Sequence, residues 1–445
     1  MERREFIKTG IAAGAAAALP AGCVPAAKKD AGTGGMSYRS CGTDKVSLLG
    51  YGCMRWPFKK GPDGTEIPDQ DKIDELVDYA IAHGVNYFDT APVYCRGLSE
   101  EITGKALARH PRDKWFIATK MSTFGHDFGE KQYEESLKMY HNSLRLLQTD
   151  HIDYYLIHAV GGGGLERLHK RFLDIGLLDY FLAEREAGRI RHLGFSFHGD
   201  VKVFDYLLSI HDRVHWDFVQ IQMNYADWTH PGRRNVEAEY LYGELEKRGI
   251  PAVIMEPLLG GRLASLPDHL AARLKARRPE SSIASWSFRF NGTFPGVLTE
   301  LSGMKVMEHL EENIRTFSPL EPCSEKEIEM LLDVATSLME YPLIPCNACD
   351  YCMPCPYGID IPGILRHYDK MVEEGLMVSS PDDSSFRKAR RAYLSSYGRT
   401  VERFRQADHC VGCGQCNPHC PQGIDIPKEL RKIDRYVEGL KTNTV

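Results

Sequence analysis

Two short cysteine runs constrain the fold of this chain more than any other feature of its sequence. Residues 346–356 read C-N-A-C-D-Y-C-M-P-C-P, and residues 410–421 read C-V-G-C-G-Q-C-N-P-H-C-P. These runs hold eight of the 13 cysteines, which is not the even spread of a secreted disulfide scaffold. Two residues between successive cysteines allow a tight turn to direct three thiolates toward one centre. The eight cysteines are Cys346, Cys349, Cys352, Cys355, Cys410, Cys413, Cys416 and Cys420.

The two runs belong to an internal repeat. The strings C-P-Y-G-I-D-I-P at 355–362 and C-P-Q-G-I-D-I-P at 420–427 match at seven of eight positions, which indicates a duplication with an approximate twofold relation. Between the runs, residues 364–376 and 382–405 have a helical pattern. This part of the chain is therefore expected to form a small, mostly helical module.

A C-x-x-C-x-x-C run closed by Cys-Pro resembles the motif of two-cluster ferredoxins and predicts two [4Fe–4S] clusters. Paired C-x-x-C units also build four-cysteine zinc sites, but two runs closed by Cys-Pro favour iron–sulfur. In the ferredoxins, the fourth cysteine of each run ligates the other cluster. The resemblance implies a first ligand set of Cys346, Cys349, Cys352 and Cys420. It implies a second set of Cys410, Cys413, Cys416 and Cys355.

The N-terminal sequence has the features of an export signal. Arg3 and Arg4 precede an Ala/Gly-rich apolar run from Gly10 to Leu19, which resembles a twin-arginine signal. The run is shorter than the ~20 residues that span a membrane, so we expect no transmembrane anchor. The signal predicts export of the folded protein to the periplasm or the outer face of the cell membrane. Cys23 is a candidate lipidation site.

The sequence from residue 36 to about 319 alternates short β-type runs with amphipathic helical stretches, and eight such runs predict a (β/α)8 TIM barrel. The strand candidates are residues 47–51, 85–89, 115–120, 152–158, 190–196, 218–222, 251–256 and 296–301. We therefore divide the chain into a signal and linker (1–35), a barrel (36–319) and a helical dicluster domain (320–445). The net charge of -6 gives no indication of a nucleic-acid partner.

Polar residues close three of the predicted strands, where barrel active sites are built. Asp89 ends V-N-Y-F-D, Lys120 ends W-F-I-A-T-K and His158 ends I-D-Y-Y-L-I-H, while Tyr94 lies in the loop after Asp89. A phenol with an ordinary pKa of ~10 becomes a usable acid near neutral pH when a neighbouring cation favours its phenolate. Lys120 is the candidate for that cation.

The string F-D-T-A-P-V-Y-C-R-G-L-S-E-E at 88–101 is similar to the signature loop of aldo-keto reductases, as are the A-T-K and L-I-H strand ends. The resemblance implies a catalytic tetrad of Asp89, Tyr94, Lys120 and His158. Tyr94 would donate the proton while His158 binds the substrate carbonyl oxygen, and a nicotinamide would supply the hydride. Cys95 departs from the family, which has Gly there, and either narrows the pocket mouth or is a surface thiol.

The resemblance also implies nucleotide contacts. The residues that match the family's cofactor site are Ser196, Gln220, Glu256, Pro257, Leu258, Gly260, Gly261, Ser302, Gly303, Met304, Lys305, Glu312 and Asn313. Glycines in such a loop let backbone N–H groups approach the pyrophosphate. His309 stands where NADP binders carry an arginine, and Lys305 is a candidate substitute, so the sequence favours NADP with NAD as the alternative.

Two functions remain open from the sequence. In the first, the protein is a carbonyl or aldehyde oxidoreductase that acts on a small carbonyl substrate, with the clusters as electron carriers or as structural elements. In the second, it is an electron-transfer protein whose barrel docks a redox partner without carbonyl turnover. Because free nicotinamide pools are not expected outside the cytoplasm, the first function requires that an exported enzyme retain its nucleotide.

Overall fold

The computed structural model describes residues 35–124, 128–232, 235–340, 343–420 and 422–445. The proposed signal, with Arg3, Arg4 and Cys23, lies outside the described residues. The described chain forms two compact units. The first contains the described residues up to Thr229 together with Val236–Leu258 and Ser281–Leu332. The second contains those of His230–Asn235, Leu259–Glu280 and Asp333–Val445.

The first unit is a closed barrel of eight parallel strands, each hydrogen-bonded to its neighbours in chain order. The strands are β1 (Leu49–Gly52), β2 (Tyr87–Asp89), β3 (Phe116–Met121), β4 (Ile152–Val160), β5 (Ile190–Phe197), β6 (Phe218–Gln222), β7 (Ala252–Met255) and β8 (Val297–Ser302). Each overlaps one of the eight predicted runs, which confirms the TIM barrel. Most strand residues are buried, as expected for parallel strands covered by helices on their outer side.

Amphipathic helices follow most of the strands. Val201–Ser209 is typical: Asp200 accepts a hydrogen bond from Lys202 N at 2.9 Å and caps the helix, while one apolar face is buried. The other helices of this unit are Gln70–Ala82, Ser99–Leu107, Glu130–Leu146, Gly164–Leu168, Leu177–Glu186, His211–Val214, Ala238–Glu246, Ile283–Gly292 and Met307–Thr316. The helix Glu325–Glu340 continues into the second unit.

A β-hairpin of Tyr38–Cys41 and Asp44–Ser47 packs at the N-terminal end of the barrel. Its buried residues Cys41 and Val46 join a cluster that includes Tyr154 of β4 and Phe218 of β6. A second hairpin pairs Phe58–Lys60 with Glu66–Pro68. The first hairpin fills the end of the barrel opposite the ends of the strands that carry the predicted site.

Charged groups surround the first hairpin. Asp44 pairs with Arg191 at 2.5 Å and with His192 Nε2 at 2.9 Å, and Asp153 pairs with Arg191 at 3.0 Å. Nδ1 of His192 lies 3.9 Å from Asp217. These carboxylates are mostly buried, so their charges are compensated by the basic side chains rather than by water.

The second unit is mostly helical, as predicted. Its helices are Asp268–Arg277, Ile361–Glu373, Phe386–Thr400 and Ile426–Thr442. The repeated D-I-P strings start two of them: Asp360 accepts a hydrogen bond from Gly363 N at 3.1 Å, Asp425 accepts one from Lys428 N at 3.4 Å, and a proline follows each cap closely. In the described part of the chain, no helix combines the length and apolarity that crossing a membrane requires.

Candidate active site and cysteine sites

The ends of β2 and β3 bring Asp89 and Lys120 into contact. Lys120 Nζ lies 2.6 Å from Asp89 Oδ1 and donates a second hydrogen bond to the backbone carbonyl of Thr90 at 2.8 Å. Parallel strands in a barrel end at the same face, which is why residues 31 positions apart meet. Both side chains are almost fully buried, with 1% of Lys120 and 4% of Asp89 exposed.

Burial controls the electrostatics of this pair. It lowers the pKa of Lys120, and the Asp89 carboxylate opposes the shift. It also raises the pKa of Asp89, against the effect of Lys120. The second carboxylate oxygen of Asp89 is buried without a hydrogen-bond partner. The two side chains therefore form an ion pair in a low-dielectric environment, where the charge of Lys120 interacts strongly with neighbouring groups.

Tyr94 lies in the short helical turn Tyr94–Gly97 after β2 and reaches the same place. Its ring centroid is 5.0 Å from Lys120 Nζ and 5.9 Å from the ring centroid of His158, with the two rings edge to face. All four residues predicted as the tetrad are thus gathered at one end of the barrel, and Tyr94 is only 8% exposed.

The residue after Tyr94 adopts an unusual backbone conformation. Cys95 has φ +50°, in the left-handed region that glycine adopts without strain. This conformation gives a physical reason for the Gly that the family has at this place. The thiol of Cys95 lies 3.4 Å from the carbonyl oxygen of Met54 and is partly buried, so it is directed to the segment Cys53–Arg55 and is not an open surface thiol.

His158 is held by a residue that the sequence analysis did not single out. The hydroxyl of Ser122 lies 2.6 Å from His158 Nδ1. Burial lowers the pKa of His158 well below its ordinary value, and the positive charges of Lys120, Arg171 and His198 add to that shift. The imidazole is therefore neutral near pH 7. Ser122 follows Lys120 by two positions, so strand alternation placed it on the same face and could have identified it.

Two further residues lie beside His158. The ring of Phe124 is centred 5.2 Å from the imidazole, and the guanidinium carbon of Arg171 lies 4.6 Å from the centre of that same ring. Neither residue closes a strand, and Arg171 follows β4 inside a short π-helical segment, His169–Leu173. No periodicity in the sequence distinguishes Arg171 from the other basic residues near it.

The structure places Ser196 and Gln220 side by side on neighbouring strands, where they are partners in the β5–β6 register. Ser196 Oγ accepts a hydrogen bond from the backbone N–H of Ala159 at 2.8 Å, which leaves its own hydrogen to donate. Gln220 is 2% exposed, and its Oε1 is buried without a partner. A donor hydroxyl beside a vacant amide oxygen fits the carboxamide of a nicotinamide, which needs one donor and one acceptor.

The remaining predicted nucleotide contacts are distributed over both units. Glu256, Pro257 and Leu258 follow β7 in the first unit, and Ser302, Gly303, Met304 and Lys305 end or follow β8. Asn313 Nδ2 donates to Ser302 Oγ at 3.0 Å, and Lys305, His309 and Gly303 are exposed. Glu312 is half-buried in the helix Met307–Thr316.

Gly260 and Gly261 belong to the second unit, and the two glycines have different surroundings. A Cβ at Gly260 would lie 2.0 Å from the Cβ of Asn347, so this glycine is required for close packing beside the first cysteine run. Gly261 has φ +107° and nothing within 4 Å of its Cβ position. Of the two, Gly261 has the open backbone that an anion could approach.

The first group of cysteines combines three residues of one run with the last of the other. The residues Cys346, Cys349, Cys352 and Cys420 line one cavity together with Asn347 and Ile426. Burial raises the pKa of the Cys352 thiol, and the neighbouring thiols of Cys349, Cys346 and Cys420 add to the shift. The thiols are therefore close enough to interact, and none of the four forms a disulfide.

The second group has the complementary composition. Burial raises the pKa of Cys416 to about 11, and the thiols of Cys410, Cys413 and Cys355 contribute. Within the described residues, no three His, Cys, Asp or Glu side chains converge as a site for one metal ion. The two groups together contain the eight cysteines of the two runs, and Cys420 and Cys355 each lie beside thiols of the opposite run.

A parallel eight-stranded barrel with a buried Lys-Asp pair at its strand ends, followed by a module with eight cysteines, defines an oxidoreductase. The chain belongs to the aldo/keto reductase family, because the model described as "Aldo/keto reductase family" matches residues 48–335. A second model, described as "4Fe-4S dicluster domain", matches residues 345–425. The protein is therefore an aldo/keto reductase-family oxidoreductase that carries a 4Fe-4S dicluster domain.

Individual relatives match the barrel. The chain is 28% identical over 324 residues to "Uncharacterized oxidoreductase YqkF" of Bacillus subtilis, which covers 66% of this chain and 95% of that protein. It is 25% identical over 317 residues to "L-galactose dehydrogenase" of Arabidopsis thaliana, covering 66% and 93%. Among solved structures, the aldo-keto reductase AKR11C1 from Bacillus halodurans superposes with a TM-score of 0.51 at 23% identity, covering 67% of this chain and 96% of that one.

Proposed function

We propose that the protein is a nicotinamide-dependent oxidoreductase that interconverts a small carbonyl compound and its alcohol, using Asp89, Tyr94, Lys120 and His158 as catalytic residues. The observation that carries this proposal is the position of Lys120 Nζ, which lies 2.6 Å from Asp89 and 5.0 Å from the Tyr94 ring. A buried cation beside a phenol is the arrangement that makes the phenol a usable acid.

In carbonyl reduction, Tyr94 donates its hydroxyl proton to the carbonyl oxygen. Lys120 stabilises the phenolate that forms, and the hydrogen bonds to Asp89 and Thr90 fix its ammonium group in place. Because the ammonium is already oriented and dehydrated, little reorganisation accompanies the proton transfer. In alcohol oxidation the same groups act in reverse, with the Tyr94 phenolate accepting the proton.

His158 orients the substrate. Its lowered pKa keeps the ring neutral, so one nitrogen donates and the other accepts. When Ser122 donates to Nδ1, the hydrogen resides on Nε2, which is then available to the carbonyl oxygen. A neutral donor polarises the carbonyl without competing with Tyr94 for the role of acid.

The nicotinamide site is proposed from Ser196 and Gln220, which supply a donor and an acceptor for the carboxamide. NADPH or NADH, when bound, supplies the hydride that these side chains lack. Lys305 is exposed after β8 and is the candidate for the 2'-phosphate of NADP. The Arabidopsis relative is named as an L-galactose dehydrogenase, which supports a polar hydroxyl or carbonyl compound as the substrate here.

The two groups of cysteines are proposed as the ligands of two [4Fe–4S] clusters, with Cys355 and Cys420 each serving the group of the opposite run. The grouping of Cys420 with Cys346 and Cys352, and of Cys355 with Cys416, supports the crossed assignment. Such clusters supply one-electron transfer when bound. They would couple the barrel to a redox partner protein.

Exposed residues of the cysteine module are candidates for the surface through which electrons pass to a partner protein. Cys413 is exposed, whereas Cys420 is buried. Phe404 and Val411 are 83% and 62% exposed, the highest values among the large apolar side chains in the described ranges. Exposed apolar side chains next to a ligand cysteine favour contact with a partner protein through the second group.

Export by the twin-arginine route remains our proposal for the location, on the basis of Arg3 and Arg4. Because that route transports folded proteins, it suits clusters inserted in the cytoplasm. A nucleotide would then have to be retained through export.

The decisive experiment is anaerobic purification of the full chain, with iron, acid-labile sulfide and bound nucleotide counted per chain, followed by turnover of a panel of aldehydes with NADPH and NADH. We expect eight irons and eight sulfides, about one nucleotide, and aldehyde reduction. A protein with full clusters that neither binds nucleotide nor reduces any aldehyde would be an electron carrier, and the carbonyl function would be rejected.

A further inference from the structure

Arg171 is the most unusual charged side chain near the candidate site. Only 3% of it is exposed. Its Nε donates to the backbone carbonyl of Thr123 at 2.8 Å, and its own backbone carbonyl accepts from Gln132 Nε2 at 3.0 Å. Its Nη2, however, is buried without any hydrogen-bond partner.

Among the described residues, none of the charged groups that act on this guanidinium is a carboxylate. Burial lowers the pKa of Arg171 to about 9, and the charged group that acts on it most is another cation, Arg167. An uncompensated buried guanidinium is costly, and proteins retain such groups mainly where they serve a function. The π-helical turn that carries it, His169–Leu173, is a type of distortion that is common at functional sites.

The surroundings of Arg171 connect it to the site of carbonyl chemistry. Its guanidinium carbon lies 4.6 Å from the ring centre of Phe124 and 4.5 Å from that of Phe172. The Phe124 ring also packs on His158. Phe124 therefore contacts both His158 and Arg171, and the charge of Arg171 acts on the imidazole of His158.

The cation–π contacts explain how the faces of the guanidinium are packed, but they do not provide a hydrogen-bond acceptor for Nη2. Aromatic rings stabilise the faces of the guanidinium, and Thr123 satisfies Nε. Neither provides an in-plane acceptor for Nη2. A planar carboxylate supplies two acceptors in the plane of the guanidinium and matches its fork geometry.

We propose that Arg171 is a specificity-determining residue that binds a carboxylate on the substrate, so that the reaction acts on small carbonyl compounds that also bear a carboxylate. This inference rests on the proposed carbonyl function and names its substrate class. Phe124, which is 39% exposed, packs on the guanidinium, and because Nη2 is buried, a carboxylate reaches it only if this ring is displaced. A carboxylate is favoured over phosphate because the aromatic enclosure is better suited to a planar, singly charged group.

The test compares two aldehydes of the same shape, 4-carboxybenzaldehyde and the neutral 4-formylbenzamide, with the clustered full-length protein. We expect kcat/KM to favour the carboxylate by about tenfold or more in the native protein. In Arg171→Gln the ratio of the two kcat/KM values should fall to about one. Lys170→Gln is the matched control, since this exposed lysine on the same segment pairs with Glu166; it should keep the preference.

A binding measurement keeps the inference testable if no aldehyde is reduced. Benzoate should raise the thermal midpoint of the native protein, whereas benzamide and inorganic phosphate should not, and Arg171→Gln should lose the benzoate effect. An equal benzoate effect in Arg171→Gln and the native protein, or no benzoate effect at all, would overturn the proposal. Stabilisation by phosphate alone would overturn the carboxylate class. If Arg171→Gln does not fold, Arg171→Lys keeps the charge without the planar fork and should show a reduced preference.

Discussion

The hydroxyl of Ser122 lies 2.6 Å from Nδ1 of His158, at a place where no charge holds the imidazole in position. When the serine donates in this contact, the imidazole hydrogen resides on Nε2. In Ser122→Ala we expect kcat for aldehyde reduction to fall by about tenfold or more, because the imidazole can then adopt the wrong tautomer. Ser47→Ala is a control, since that buried serine of the first hairpin donates to the carbonyl of Leu49. Unchanged kcat in Ser122→Ala would remove the serine from the mechanism.

Tyr94→Phe removes the proposed acid and retains the ring that packs against Lys120 and His158. Carbonyl turnover should fall by at least about a hundredfold, while nucleotide binding and the absorbance of the clusters remain. Steady-state kinetics, nucleotide titration and visible spectra on one preparation measure all three. Turnover equal to that of the native protein would refute the tetrad assignment. Tyr155→Phe, in a buried tyrosine of β4 that the mechanism does not use, is the matched control.

The buried pair of Asp89 and Lys120 predicts a non-additive stability cycle. Lys120→Met should destabilise the barrel by about 3–5 kcal/mol, because it leaves a buried carboxylate without its cation. The double variant Asp89→Leu with Lys120→Met should recover much of that loss, although it is inactive. All five tryptophans lie in the first unit, so tryptophan fluorescence during urea unfolding monitors the barrel alone. Additive losses would indicate that the two groups are not coupled.

The crossed grouping of the cysteines predicts which substitutions share a phenotype. Cys355→Ser should impair the same cluster as Cys416→Ser, and Cys420→Ser the same cluster as Cys352→Ser. Iron counts and the electron paramagnetic resonance of the reduced protein distinguish the two cases. Cys95→Ser, outside the module, should keep both clusters. If Cys355→Ser instead gave the spectrum of Cys352→Ser, each run would hold its own cluster.

His192 makes the stability of the barrel depend on pH. Burial opposes its protonation, but the carboxylates of Asp217 and Asp44 prevail and raise its pKa to about 8. A folded pKa above the unfolded value of ~6.5 gives stabilisation that is complete below pH ~6.5 and is lost as pH rises through 8. The difference amounts to about 2 kcal/mol. Urea unfolding at pH 6 and pH 9 should show this loss in the native protein and a smaller one in His192→Gln; equal losses would contradict it.

The barrel could be predicted because its signal is local. Its strands are short, mostly apolar runs, and Asp89, Lys120 and His158 lie at or near the ends of three of them. The helices of the second unit were predicted with shifted bounds: the run at 364–376 is the helix Ile361–Glu373. Its start is set by the Asp360 cap and the following proline, which a hydrophobic pattern does not include.

Contacts between distant segments could not be predicted. The sequence gives no reason to place Arg171 beside Phe124, since 47 positions separate them and neither lies in a motif. Gly260 was interpreted as part of a phosphate loop, yet its closest neighbour in the structure is Asn347. A glycine pair in a sequence indicates a backbone that closely approaches another group, which can be a ligand or a side chain of the protein. Only the fold shows which group it is.

The cavity lined by Cys346, Cys349, Cys352 and Cys420 has a consequence for the timing of biosynthesis. Its first three thiols are synthesised well before the fourth, and Cys355, Cys410, Cys413 and Cys416 come between them in the chain. A nascent chain that has not yet emerged through Cys416 cannot complete either proposed ligand set, because Cys355 waits for its partners in the second run and the first set waits for Cys420. The first set is therefore the last to be completed, although three of its four thiols are made first.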